Sequence, residues 1–124
     1  MAKTILLVDD EPAVVFVIQG RLKTWGYEVI TATNGQEALE AVSRRIPDLI
    51  LLDMKMPVMG GEEVCHRLKA DARFTLIPII LITCSSYQAA EEALQATQAD
   101  DCVIKPFDPK ELLVKIQRWL GELS

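Results

Sequence analysis

Histidine is almost absent from this chain: His66 stands alone among 124 residues. No second histidine or carboxylate set converges on it, so it reads as a solvated helix residue and not as a metal ligand or phosphorylation site. Cysteine is also scarce. Cys65, Cys84 and Cys102 show no CxxC spacing and no histidine close by, which excludes sulfur-based metal binding. Their odd number argues against a disulfide framework and for small hydrophobes in a reducing compartment. No apolar run approaches the roughly 20 residues that a bilayer requires. Met1-Ala2-Lys3 leads directly into the first apolar segment, so a signal peptide does not fit in front of it. Cationic excess is lacking too: 18 acids against 13 bases give a net charge of −5, which disfavours non-specific nucleic-acid binding. Internal repeats, low-complexity tracts and linkers are missing. These absences predict a cytoplasmic protein with no membrane and no nucleic-acid partner. They also predict one domain over residues 1–124, without an output domain.

What is present is a regular alternation. Half of the residues are hydrophobic and a quarter charged, the ordinary globular balance. A chain of this length buries roughly two thirds of its unfolded surface, enough for a real core. Strand-like apolar runs at 4–8, 27–31, 48–52, 78–82 and 101–104 alternate with helical patterns near 12–25, 35–44, 61–70, 87–96 and 109–121. Such alternation predicts βαβ units, a parallel sheet and a three-layer α/β sandwich. Four of the runs are apolar throughout, as strands buried on both faces must be. Tyr27-Glu28-Val29-Ile30-Thr31 is partly polar and suits an edge. Pro12 opens the first helix, whose inward stripe is Val14, Ile18, Leu22 and Trp25, and Gly26 closes it. Asp108 and Pro109 open the last, with an inward stripe of Leu112, Ile116, Trp119, Leu120 and Leu123. Asn34-Gly35 and Gly60-Gly61 mark breaks before the second and third helices.

The chemistry lies where the runs end. Ile5-Leu6-Leu7-Val8 ends in Asp9-Asp10-Glu11, Leu49-Ile50-Leu51-Leu52 in Asp53, Ile79-Ile80-Leu81-Ile82 in Thr83, and Cys102-Val103-Ile104 in Lys105-Pro106. Each polar residue follows a strand at its carboxyl end, the edge where open α/β sheets bind ligands. Clustered carboxylates imply a hard cation such as Mg²⁺, and a nearby Lys and Thr imply a phosphoryl group beside it. The alternative, a loop of acids that merely solvates the sheet end, does not account for four strands each ending in a different member of the set.

These stretches carry a resemblance. ILLVDDEP at 5–12, PDLILLDMKMPVMGGEEV at 47–64, IPIILIT at 77–83 and ADDCVIKPF at 99–107 resemble the receiver domain of two-component response regulators from end to end. The resemblance implies a flavodoxin-like, doubly wound five-stranded parallel sheet in order 2-1-3-4-5. It implies Asp53 as acceptor of a phosphoryl group from a histidine kinase or histidine phosphotransfer protein. Asp10 would be a direct Mg²⁺ ligand, Asp9 a ligand through water, and the Lys55 backbone carbonyl a further one. Thr83 would bond the phosphoryl oxygen, and Lys105 would pair with the phosphoryl group, its bond to Pro106 being cis. The expected role is a stand-alone phosphorelay module that is not an enzyme beyond its own phosphorylation and autodephosphorylation. It would act on a downstream protein target or relay the phosphate.

Three positions depart from the family pattern. Cys102 stands where an aromatic residue usually swings inward with the Thr. Cys84 follows Thr83 in place of the commoner Ala. Gln98 replaces a turn Gly, so left-handed backbone there would cost about 1 kcal/mol. Lys55 points either over the phosphoryl site or into solvent. Phe16 falls opposite the inward stripe of its helix, the one on which histidine-bearing partners of receivers dock. Competing readings are weaker. A receiver that works without phosphate is favoured only by Cys102. An aspartyl-phosphate phosphatase would resemble Asp-x-Asp, whereas Asp53-Met54-Lys55 has no second acid. Flavin phosphate would be repelled by Asp9-Asp10-Glu11.

Overall fold

The apolar runs pair as parallel strands, and their alternating side chains divide between two helical layers. The structure, a computed structural model, describes residues 2–56, 58–83 and 86–121. Its elements are β1 (Thr4–Val8), α1 (Pro12–Thr24), β2 (Glu28–Ala32), α2 (Gly35–Arg44), β3 (Leu49–Asp53), α3 (Gly61–Ala70), β4 (Ile79–Thr83), α4 (Tyr87–Thr97), β5 (Asp101–Ile104) and α5 (Pro109–Leu120). The strand order is β2-β1-β3-β4-β5, as expected. Among the described residues no helix is long and apolar enough to cross a membrane.

Successive strand residues point to opposite faces. Leu6, Val8, Ile50, Leu52, Ile79 and Leu81 therefore meet α2, α3 and α4 on one side. Ile5, Leu7, Leu49, Leu51, Ile80 and Ile82 meet α1 and α5 on the other. β1, β3 and β4 are buried along their whole length. β5 corrects the expectation of four doubly buried strands: it is the second edge, and its burial alternates.

The helix boundaries follow local chemistry. Asn34 caps α2 by accepting from Glu37 N–H at 2.9 Å, and Glu37 reaches back to Thr33 N–H at 2.8 Å. Asp108 caps α5 through Lys110 N–H at 2.8 Å. Trp119 departs from the predicted inward stripe. It is 40% exposed, and its indole N–H donates to Asp101 at 3.4 Å. A buried Asp101 at the β5 edge needs donors, and it takes Lys115, Arg118 and the Cys102 N–H as well. Burial alone would raise its carboxyl, but these partners hold it below the usual range. Leu123 and Cys84 lie outside the described residues.

Gln98 terminates α4 in the left-handed region, φ 64° and ψ 19°, with its N–H on Leu94 O at 3.0 Å. A side chain there crowds the backbone where glycine would not. Gln98→Gly should accordingly stabilise the domain by about 1 kcal/mol. The expected sign in urea is a higher unfolding midpoint at unchanged slope. An unchanged or lower midpoint would remove the strain account of this turn.

Candidate functional site

Strand register assembles the site. β1 and β3 pair with Val8 opposite Leu52, so the next residue of each, Asp9 and Asp53, emerges at the same sheet edge. β3 and β4 pair with Asp53 opposite Ile82, and β4 and β5 with Thr83 opposite Ile104. Acid, acceptor, hydroxyl and lysine thus succeed one another across four strands. Lys105 N–H donates to Thr83 O at 2.6 Å and fixes the last two strand ends together.

The acids converge as the sequence predicts. One carboxylate oxygen from each of Asp9, Asp10 and Asp53 lies within 4.8 Å of the others. Asp9 is fully buried, Asp53 is 6% exposed, and Asp10 faces solvent. Asp9 Oδ1 accepts from Glu11 N–H at 2.9 Å, but the buried Oδ2 has no hydrogen-bond partner. The Lys105 ammonium stands 3.5 Å from it, an ion pair too long to be a normal hydrogen bond. An orphaned buried carboxylate oxygen within an all-oxygen cluster fits a hard divalent cation.

Beside the cluster is a cavity of about 90 Å³ bounded by Glu11, Asp53, Met54, Lys55, Thr83 and Lys105. Lys55 N–H donates to Asp53 Oδ1 at 3.3 Å, and Lys55 itself is exposed at the cavity wall. Thr83 is 7% exposed. The Lys105–Pro106 peptide is cis, as expected. The arrangement offers a carboxylate nucleophile with an ammonium and a hydroxyl residue at one small opening.

Four further residues shape this end of the molecule. Gly61 is more than a break before α3: a Cβ there would come within 2.5 Å of Asp53 O, so only glycine lets the helix start against the acceptor strand. The Gly60-Gly61 pair was the sequence signal for it. Val58, 84% exposed, has φ 68°, an outlier for a β-branched residue in the loop after the acceptor. Pro106 and Phe107 join α1 and α5 in walling an apolar groove of about 670 Å³. No sequence period marks a gap between helices. His66 is a solvated helix residue 4.0 Å from Glu62, as predicted. Phe16 is 79% exposed on α1. Cys102 is partly buried against the α2–α4 layer, and burial pushes its thiol pKa up.

Burial also raises the Asp53 carboxyl above the usual carboxylate range, and the adjacent Asp9 pushes it further the same way. For an acid with a raised folded pKa, the folded state holds the proton more tightly than the unfolded chain. Its contribution to stability is complete below the unfolded pKa of about 3.9 and is lost as pH rises through the folded value. Without metal, the charged Asp53 therefore destabilises the fold at neutral pH. Asp53→Asn should raise the metal-free Tm at neutral pH by roughly 3–5 °C, the shift that about 1 kcal/mol makes in a domain of this size. Calorimetry at neutral and acidic pH checks this, with the gain shrinking in acid. A neutral-pH loss would contradict the repulsion.

The chain matches the response regulator receiver domain over residues 5–117. It is 38% identical over 120 residues to the alkaline phosphatase synthesis transcriptional regulatory protein PhoP of Bacillus subtilis, covering 97% of this chain and 49% of that protein. It is 39% identical to the phosphate regulon transcriptional regulatory protein PhoB of Pseudomonas aeruginosa, again over 97% of this chain and 52% of the relative. The chain therefore spans about half the length of these curated relatives. A putative response regulator from Chloroflexus aurantiacus superposes with TM-score 0.91 at 30% identity, covering 98% of this chain and all of the other. The receiver domain of a sensor histidine kinase of Pseudomonas aeruginosa, solved with a magnesium ion coordinated in its active-site cleft, superposes with TM-score 0.90 at 32% identity, covering 98% and 100%. With this fold, this strand-end constellation and these matches, the chain belongs to the response regulator receiver domain family.

Proposed function

We propose that this receiver accepts a phosphoryl group on Asp53 from the histidine of a kinase or histidine phosphotransfer protein. It then signals by partner binding or phosphate relay. The single observation that carries the reading is the buried Asp53 carboxylate at a small cavity with Thr83 and Lys105 on its wall. Mg²⁺ fits the Asp9–Asp10–Asp53 cluster, with the Lys55 carbonyl as a further oxygen, and the related kinase receiver with magnesium in its cleft supports that assignment. When bound, it supplies positive charge that offsets the carboxylates and the incoming phosphoryl oxygens. Asp53 attacks phosphorus through a carboxylate oxygen while the phosphorus–nitrogen bond of the donor breaks and its electron pair returns to the imidazole. Phosphoryl transfer asks the protein mainly for positioning and charge stabilisation. Lys105 would provide the charge, and the Thr83 hydroxyl on the same cavity wall would donate to a phosphoryl oxygen. Such a domain is an acceptor that turns over its own aspartate, not an enzyme acting on other substrates.

The apolar groove between α1 and α5, continuous with Lys105 and Pro106, supports a docking place for the donor. Amphipathic helices are recognised in grooves of this kind. Cys102 gives the switch no ring to move, so the Thr83–Lys105 backbone bond and the Asp101 ties to α5 carry the change outward. A second reading comes from the relatives, which are named as transcriptional regulators and are about twice as long. There, a receiver governs a transcriptional output. The size of the native polypeptide separates the two: a 13.8 kDa species supports the stand-alone role, and a substantially longer one the second.

Incubation with acetyl phosphate and Mg²⁺ should add one phosphoryl group to the wild type and none to Asp53→Asn, as read by intact mass. Labelling that survives in the variant, or that maps to His66, would overturn the acceptor assignment.

A further inference from the structure

α2 and α3 each begin with a buried glycine, Gly35 and Gly61, where the other helices begin with Pro12, Tyr87 and Pro109. Glycine is among the poorest helix residues, and neither position takes the left-handed backbone that would call for it. Space calls for it instead. A Cβ on Gly61 would lie 2.5 Å from Asp53 O, at the start of the loop that joins β3 to α3. A Cβ on Gly35 would lie 2.5 Å from Met59 O and 2.7 Å from both Met59 Cβ and Val64 Cγ2, at the far end of that loop. The nearest of these atoms is main chain, so no side-chain rotation relieves the contact.

Of the two partners, the loop is the one that must yield. α2 is held by its cap, in which Asn34 accepts from Glu37 N–H and Glu37 from Thr33 N–H, and by the buried Ala38 and Val42. The loop is tied at its near end, where Gly61 N–H donates to Met54 O at 3.2 Å. Its far end is seated through Met59, which is 8% exposed and packs in the core with Ala38 and Val64. Between these ends Lys55 and Val58 are exposed. Lys55 N–H stands 3.3 Å from Asp53 Oδ1, and its carbonyl is the further oxygen assigned to the cation. A chain this short, fixed at Met54, passes a displacement of Met59 on to Lys55.

We propose that Gly35 is a positioning residue for the acceptor site: by leaving room for Met59, it sets where the loop carries the Lys55 main chain relative to Asp53. This rests on reading Asp53 as a Mg²⁺-dependent phosphoryl acceptor. Gly35 touches none of the reacting groups and acts only through the loop. Its effect falls on the cation first, because residues that orient a metal ligand from outside are worth about 10–100-fold in metal affinity.

The test compares Gly35→Ala with two controls. Gly20→Ala adds a methyl group to α1 where nothing lies within 4 Å, and Val42→Ala opens a cavity beside α2 in the core cluster that holds Met59. In the metal-free protein, Gly35→Ala should shift the amide resonances of Met54 and Lys55, and neither control should. Followed on the same resonances, its Mg²⁺ affinity should fall about tenfold, and acetyl phosphate labelling should need about tenfold more Mg²⁺ to reach half its maximal rate. Val42→Ala should lose thermal stability yet keep the wild-type Mg²⁺ affinity. Met59→Gly releases the same loop end without adding an atom; it should weaken Mg²⁺ in the same sense, and it carries the test if Gly35→Ala does not fold. The proposal is overturned if Gly35→Ala, or Met59→Gly in its place, binds Mg²⁺ as tightly as wild type, or if Val42→Ala weakens binding equally. The underlying reading fails separately. A wild type that neither binds Mg²⁺ nor takes label from acetyl phosphate loses its acceptor assignment, and the role of Gly35 goes with it.

Discussion

Asp9 and Asp53 are forced together by the register of two buried parallel strands, and much of the site answers to the repulsion that results. β1 and β3 are hydrogen-bonded neighbours whose side chains are excluded from water on both faces. The polar residue that follows each strand then emerges into a half-dry edge, where a charge is poorly solvated and strongly felt by its neighbour. Lys105 answers part of it through its ion pair with Asp9. Burial first, and the adjacent Asp9 after it, raise the Asp53 pKa, and one oxygen of Asp9 has no hydrogen-bond partner. Such a site is held ready for positive charge.

The same sheet edge links the site to the surface. Thr83 and Lys105 end adjacent strands and are joined through the main chain, so displacement of either is felt by both. Beyond Lys105 the chain turns through Pro106 and Phe107 into α5, which is tied back to β5 by the Asp101 cluster. The tie to Lys115 is charge-assisted and partly buried, hence stiffer than a surface ion pair. Cys102 sits next to Asp101 but is too small to act as a moving ring.

A second consequence concerns the layer formed by α1 and α5. Two helices cover this face and three the opposite one, and the strand residues are buried on both. The groove between α1 and α5 is walled by helix residues and by Lys105, Pro106 and Phe107. On the opposite side Gly61 has no side chain, which lets α3 begin against the Asp53 carbonyl without displacing the strand. Val58 and Gln98 keep left-handed backbone with side chains that crowd it, the first beside the site and the second at a distant turn.

Sequence alone determined the elements and the membership of the site. Strand runs that end in Asp9, Asp53, Thr83 and Lys105 state both periodicity and chemistry in one stretch of chain, and boundaries fell within a residue or two because capping and apolar pattern are local. The left-handed turn at Gln98 was legible from the resemblance, which puts a turn glycine at that position. Tertiary structure decided what depends on neighbours remote in the chain. β5 is an edge because, among the described residues, it pairs with β4 alone, which its apolar sequence does not reveal. Trp119 leaves the α5 stripe because a buried Asp101 on another element offers its indole an acceptor. The closeness of Gly61 to Asp53, the unpartnered oxygen of Asp9 and the groove between α1 and α5 all arise between elements. A one-dimensional pattern records which face of a helix is apolar, but only packing decides whether that face meets a partner or is left open.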